Sequence, residues 1–186
     1  MNKTSTRKIV FSGLFLALAL VLPFLTGQIP EIGGMLLPMH LPVLICGLFL
    51  GPICGGAVGF IAPILRSLIW GMPYLLPTAL GMAFELCAYG IVSGLIIMAI
   101  GRSTFSTYLA LIVAMVIGRI VYGGAATAIY SLMGMSYSWT LFVSGTIVSG
   151  IPGIILQLVI VPPVVLALNK YIGITYQSSG GKVLAK

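Results

Sequence analysis

The chain has 186 residues, of which 60% are hydrophobic and only 6% are charged, and its formal net charge is +7. Soluble domains carry about 25% charged residues, so this composition and a mean hydropathy of +1.21 predict an integral membrane protein. At about 20 residues per spanning helix, the chain has room for about five to seven spans and for no ATPase or soluble catalytic domain.

The first predicted helix covers residues 9–25 and follows a basic start. A signal peptide has the same features, but there is no clear small-residue cleavage site and more spans follow, so a first transmembrane helix is favoured. Gly13 and Ala17 lie four residues apart on one face of this helix. Small residues at this spacing permit close approach of another helix, either within the protein or in a partner.

The segment at residues 26–38 contains a proline and two adjacent glycines and is predicted to be a loop that dips back towards the membrane. A short second span at 39–50 and a third at 53–70 follow it. Glycines recur across these two spans at 47, 51, 55 and 59. Glycines four apart share a helical face and let a neighbouring backbone come close in lipid. Prolines interrupt the same stretch, which favours broken helices beside a cavity.

Three more spans are predicted at 76–100, 105–132 and 141–168, which makes six, and both termini then lie on one side. All seven basic residues outside the spans fall on that side: Lys3, Arg7, Lys8, Arg102, Lys170, Lys182 and Lys186. The loops on the other side contain none. By the positive-inside rule, both termini are cytoplasmic, whereas a five-span arrangement would move the basic tail outside.

We therefore expect an all-α integral membrane protein of the cell membrane, with six transmembrane helices in one domain over residues 1–186. Short basic tails at 1–8 and 170–186 complete it. Because the positive charge lies mainly near the two ends, it indicates topology in a lipid bilayer and no nucleic-acid partner is expected.

Two arginines and one carboxylate remain inside the predicted spans: Arg66, Arg119 and Glu85. A charge is costly there and is usually buried among helices or beside water, so each is a functional candidate. At 1.5 Å per residue, Arg66 and Arg119 lie about 20 and 21 Å from the cytoplasmic ends of their spans, and Glu85 lies about 14 Å from its outer end. All three are therefore expected in the outer half of the membrane.

These charges and nearby polar or aromatic residues predict a pocket that opens outwards above a charge-poor cytoplasmic half. Capture of an external solute fits this arrangement better than a pore does. The expected substrate-binding residues are His40, Arg66, Tyr74, Glu85, Tyr89, Arg119, Tyr122 and Trp139.

Each has a purely structural alternative. Arg66 and Glu85 can pair only to hold two helices together, and Arg119 can reach the outer interface. His40 can make a structural hydrogen bond at a helix start, and the outer aromatic residues can form an interfacial belt.

The chain offers no energy source of its own. It has two carboxylates, one histidine and no phosphate-binding loop, and its three cysteines lack metal-binding spacing, so no enzyme, cofactor or metal site is expected. Energy must then come from a partner. The alternative is a self-sufficient proton-coupled carrier in which Glu85 and Arg66 act together.

Two segments of the chain carry a family resemblance: MHLPVLICGLFLGPICGGAVGFIAPILRS at 39–67 and MAFELCAYGIVSG at 82–94. Together with the basic start and the small-residue first helix, they resemble the substrate-binding S components of energy-coupling factor (ECF) vitamin transporters. The resemblance implies high-affinity vitamin binding from outside by six helices. It also implies association with a transmembrane coupling protein and two cytoplasmic ATPases, and toppling of the S component in the membrane.

In that family the first helix docks on the coupling protein through a motif of two alanines separated by three residues. The resemblance therefore assigns docking to Gly13 and Ala17, with glycine in place of the first alanine. It also implies that the loop at 26–38 acts as a lid.

The two intramembrane arginines can bind a carboxylate, which favours an acidic vitamin. Pantothenate is the first candidate, and the first of the two segments also looks most like S components of the pantothenate type. If Glu85 neutralises Arg66, a neutral or cationic ligand that stacks on aromatic residues is favoured instead, such as pyridoxine, riboflavin or α-ribazole.

Overall fold

The computed structural model describes residues 3–26, 29, 35–135, 138, 142 and 150–172. Within these ranges the chain is helical and contains no strand, so the predicted all-α class is confirmed for them. The α-helices in this part are α1 (Lys3–Val21), α2 (His40–Leu50), α3 (Pro52–Trp70), α4 (Leu80–Ile100), α5 (Thr104–Leu132) and α6 (Ile151–Ile172). A 3-10 turn at Leu22–Thr26 extends α1, and a π-helical turn at Leu75–Ala79 leads into α4.

Five segments are long and apolar enough to cross a membrane: Thr6–Leu25, Pro52–Trp70, Leu75–Ile100, Thr104–Leu132 and Ile151–Ile172. The six predicted spans and the cytoplasmic position of the termini stay predictions. The predicted sixth span starts at residue 141, whereas α6 starts at Ile151. Most residues between these two positions, much of the loop at 26–38 and the tail after residue 172 lie outside the described part of the chain.

Helix α2 is short and forms the centre of the fold. Its 11 residues would extend about 17 Å, which is well below the thickness of a bilayer core. All of them are buried, and α1, α3, α4 and α6 pack against them. A helix that is apolar on every side suits this position because it contacts neighbours all round.

Glycines allow α2, α3 and α4 to pack closely, as the sequence predicts, but not in the predicted arrangement. Gly51 has a φ of 103° and lies in the turn between α2 and α3, so the four glycines do not share one helical face. The turn instead folds Gly55 back onto Gly47, where an added Cβ would lie 2.5 Å from the Gly47 Cα. Helix α4 packs against the same point through Gly90. A Cβ at Gly90 would collide with the backbone of Gly55.

Arg102 marks one end of the helical bundle. Its guanidinium donates hydrogen bonds of 2.9 Å to Asn169 Oδ1, near the end of α6, and of 2.9 Å to the carbonyl oxygen of Phe49, near the end of α2. At the other end, a Cβ added to Gly153 of α6 would lie 2.6 Å from the carbonyl oxygen of Met35, shortly before α2 begins. Helices α2 and α6 therefore run parallel.

Candidate functional site

Glu85 is the centre of a buried polar cluster formed by three helices. Its side chain is 2% exposed, and its Oε1 lies 2.9 Å from Nη1 of Arg119 on α5. The hydroxyl of Tyr89 donates to the same oxygen at 3.2 Å. His40, the first residue of α2, places Nε2 3.8 Å from Glu85 Oε2, and its ring meets the Tyr89 ring edge-on with centroids 5.4 Å apart.

The local sequence explains why these side chains meet. Glu85 and Tyr89 are four residues apart on α4, so they lie on one helical face a turn apart. Gly118 on α5 lies directly against the Tyr89 ring, and a Cβ there would collide with that ring. The missing side chain lets α5 approach α4, and the next residue, Arg119, then reaches the Glu85 carboxylate.

The cluster contains buried polar atoms that have no hydrogen-bond partner among the described residues. Nε and Nη2 of Arg119 and both ring nitrogens of His40 have no hydrogen-bond partner in the described part of the protein. A buried polar group left unpaired costs about 1–3 kcal/mol. Nε and Nη2 form one edge of the planar guanidinium, which suits two parallel hydrogen bonds to a carboxylate or to another pair of acceptors. This arrangement can bind a ligand.

Arg66 does not join this cluster, and the predicted Arg66–Glu85 pair is wrong. Its Nη1 donates a 2.6 Å hydrogen bond to the carbonyl oxygen of Leu20 on α1. Its guanidinium lies 5.3 Å from the ring centroid of Phe24 and 5.5 Å from that of Trp70. Glu85 pairs with Arg119 instead, because α5 packs against α4 while Arg66 faces the end of α1.

The structural alternative for Arg119 is also wrong. Arg119 does not reach for the outer interface, since its side chain is only 13% exposed and is paired with Glu85. His40 does make a hydrogen bond at the helix start, because its backbone N–H donates to the carbonyl oxygen of Leu37 at 3.0 Å. Its buried ring nitrogens have no hydrogen-bond partner among the described residues.

The remaining predicted site residues lie at different distances from the cluster. Tyr122 is on α5, and its ring would lie 3.1 Å from a Cβ at Gly81, one turn before Glu85 on α4. Tyr122 therefore borders the cluster. Tyr74 is 74% exposed and is not part of the buried group. Trp139 lies outside the described residues.

Gln157 on α6 is a buried polar residue that the sequence reasoning missed. It is 0% exposed, and neither its amide oxygen nor its amide nitrogen has a hydrogen-bond partner among the described residues. The available signal was an uncharged amide within the otherwise apolar stretch at 150–168. Unlike Arg66, Glu85 and Arg119, this side chain carries no charge that would mark it in the sequence.

The small-residue face of α1 points away from the rest of the protein. Gly13 and Ala17 are exposed, and a Cβ added to Gly13 would meet no atom within 4 Å. Leu14 and Leu18 beside them are exposed as well. Internal packing of this face, one of the two alternatives for it, is therefore not what the described structure contains.

A family model described as ECF transporter, substrate-specific component, matches residues 7–165. The chain belongs to this family. Searches among curated proteins and among solved structures find no significant match. As an ECF S component, the protein is a multi-pass membrane protein and the substrate-binding subunit of a transporter rather than a catalytic enzyme. S components bind a small molecule and work with an ECF module.

Proposed function

We propose that this S component captures a small, water-soluble vitamin that carries a carboxylate, and that pantothenate is the first candidate. The vitamin enters from outside and binds in the outer half of the membrane. The transmembrane coupling protein and the two ATPases of the ECF module then deliver it inwards.

The unpaired, buried edge of Arg119 carries this proposal. Glu85 binds the guanidinium through Nη1 only, so Nε and Nη2 stay available to two acceptor atoms of one ligand. The edge also stays in place without a ligand, because Glu85 is itself held by Tyr89. Charge-assisted hydrogen bonds of this kind are about twice as strong as neutral ones. His40 lies in the same cluster, with Nε2 3.8 Å from Glu85 Oε2, and its two ring nitrogens have no hydrogen-bond partner among the described residues.

The self-sufficient proton-coupled carrier has less support. That alternative requires Glu85 and Arg66 to act as a pair, and the partners of Glu85 are Arg119, Tyr89 and the nearby His40. A neutral ligand with two adjacent acceptors, such as the ring of riboflavin, also fits the guanidinium edge. Pyridoxine and α-ribazole remain the other alternative substrates.

A titration that compares a carboxylate with its neutral analogue tests the proposal. The purified protein is titrated calorimetrically with pantothenate and with pantothenol, in which an alcohol replaces the carboxylate. Loss of a charged hydrogen bond costs about 1.5–3 kcal/mol, so pantothenol is expected to bind about 10- to 100-fold more weakly. Equal affinity for the two, or binding of riboflavin, pyridoxine or α-ribazole alone, would exclude an acidic substrate.

A further inference from the structure

Gln157 occupies an unusual position on the buried face of α6. Residues 153, 157, 161 and 165 are all buried and share this face, since they are four apart. The other three members are glycine and valines. An amide with no partner is unfavourable at such a site, because desolvation of its polar atoms is not offset by any hydrogen bond.

The register of the helices places Gln157 at the level of the Glu85 cluster. The Arg102 end of the bundle serves as a common reference, because residues of α2 and α6 both bond to Arg102. At 1.5 Å per residue, Gln157 lies about 18 Å from Asn169 along α6, and His40 lies about 14 Å from Phe49 along α2.

Arg119 lies at a similar height. It is about 22 Å from Thr104, where α5 begins next to Arg102. Helix α6 packs against both α2 and α5, the two helices that carry His40 and Arg119. Gln157 therefore lies at a height between those of His40 and Arg119, on a helix that packs against the helices of both.

We propose that Gln157 is a second ligand-binding residue, and that it recognises a neutral amide or hydroxyl group on the ligand whose carboxylate binds Arg119. The inference rests on the proposed function. A primary amide has a carbonyl oxygen that accepts hydrogen bonds and an NH2 group that donates them. It therefore matches a ligand group that can both donate and accept a hydrogen bond. The substrate class is thus a carboxylate that also carries an amide or a hydroxyl group.

The substitution Gln157→Leu tests the inference, with pantothenate as the probe. Leucine has a similar size and needs no hydrogen bond, so the ligand-free protein should unfold at the same temperature as the wild type or at a higher one. The affinity for pantothenate should fall about tenfold, because the amide or hydroxyl group of the ligand loses its partner. Val161→Ala on the same buried face is the control, and it should lower the unfolding temperature without changing the affinity.

The outcomes separate this inference from the proposed function. If the wild type binds pantothenate through Arg119 and Gln157→Leu binds it equally well, Gln157 is not a ligand-binding residue and only the inference fails. A lower unfolding temperature with unchanged affinity assigns Gln157 a structural role and overturns the inference in the same way. If the wild type does not bind pantothenate, the proposed substrate is wrong and the inference fails with it.

Discussion

At the scale of single residues, the site depends on how one guanidinium is shared. Glu85 occupies one terminal nitrogen of Arg119 and leaves the opposite edge unpaired inside the protein. The paired carboxylate lowers the cost of burying the arginine. The unpaired edge is the part of the side chain that we propose binds the ligand. Arg66, the other intramembrane arginine, already has a carbonyl oxygen and two aromatic rings as partners.

The first prediction concerns these two arginines. Arg119→Gln removes the guanidinium with its Nε and Nη2 donors, so the free energy of pantothenate binding should weaken by about 1.5–3 kcal/mol. Arg66→Ala is the matched control, and we expect a lower unfolding temperature with little change in affinity, because its contacts are with α1. Calorimetric titration and thermal unfolding of both variants measure this. If Arg66→Ala lowered the affinity and Arg119→Gln did not, Arg66 and not Arg119 would be the ligand-binding arginine.

At the scale of helices, close packing through glycine determines where the site lies. Gly47, Gly55 and Gly90 bring α2, α3 and α4 into backbone contact, and Gly118 on α5 leaves room for the Tyr89 ring of α4. The result positions His40 at the start of α2 beside the Glu85 and Tyr89 face of α4. In lipid, close van der Waals packing of this kind replaces the hydrophobic effect as the source of helix association.

Two glycine substitutions test the contribution of close packing. Gly90→Ala places a methyl group against the backbone of Gly55, so α3 and α4 must separate and the unfolding temperature should fall clearly. Gly124→Ala on α5 has no atom within 4 Å of the added Cβ and should be neutral or stabilising by up to about 1 kcal/mol. Thermal unfolding in one detergent compares the two. Equal effects would mean that helix propensity, not packing, decides the outcome.

At the scale of the whole molecule, the site and the small-residue face of α1 are separate features. Gly13 and Ala17 face away from the helices that bury Glu85. As an S component, the protein must work with an ECF module, and an exposed face of small residues permits close helix contact with it. We therefore expect that a substitution on the α1 face affects partner docking without affecting ligand binding.

The last prediction uses this separation. Gly13→Leu should leave the protein folded and its affinity for pantothenate unchanged, but should abolish uptake by vesicles that contain the complete ECF complex. Gly13→Ala is the control, because it keeps the residue small and should preserve transport. Loss of vitamin binding in Gly13→Leu would show that the α1 face supports the site itself, and undiminished uptake would remove Gly13 from the docking surface.

Much of the architecture follows from the order of residues alone. The long apolar segments and their approximate limits follow from hydropathy, because a helix in lipid must satisfy its own backbone and cover itself with apolar side chains. Glu85 and Arg119 stand out for the same reason. A charged side chain within a span is costly, so it usually has a functional role. The S-component family was also recognisable from the two central segments, and the family match supports it.

The pairing of side chains was decided by tertiary structure. Depth along each helix placed Arg66 and Arg119 at a similar level, but depth does not specify the direction in which a side chain points. Helix rotation and the order of neighbours turn Arg119 towards Glu85 and Arg66 towards α1. Gln157 has no charge to mark it, and its unpaired amide is evident only once α6 has packed and buried it. Rotation depends on contacts between residues distant in sequence, so a one-dimensional pattern cannot determine it.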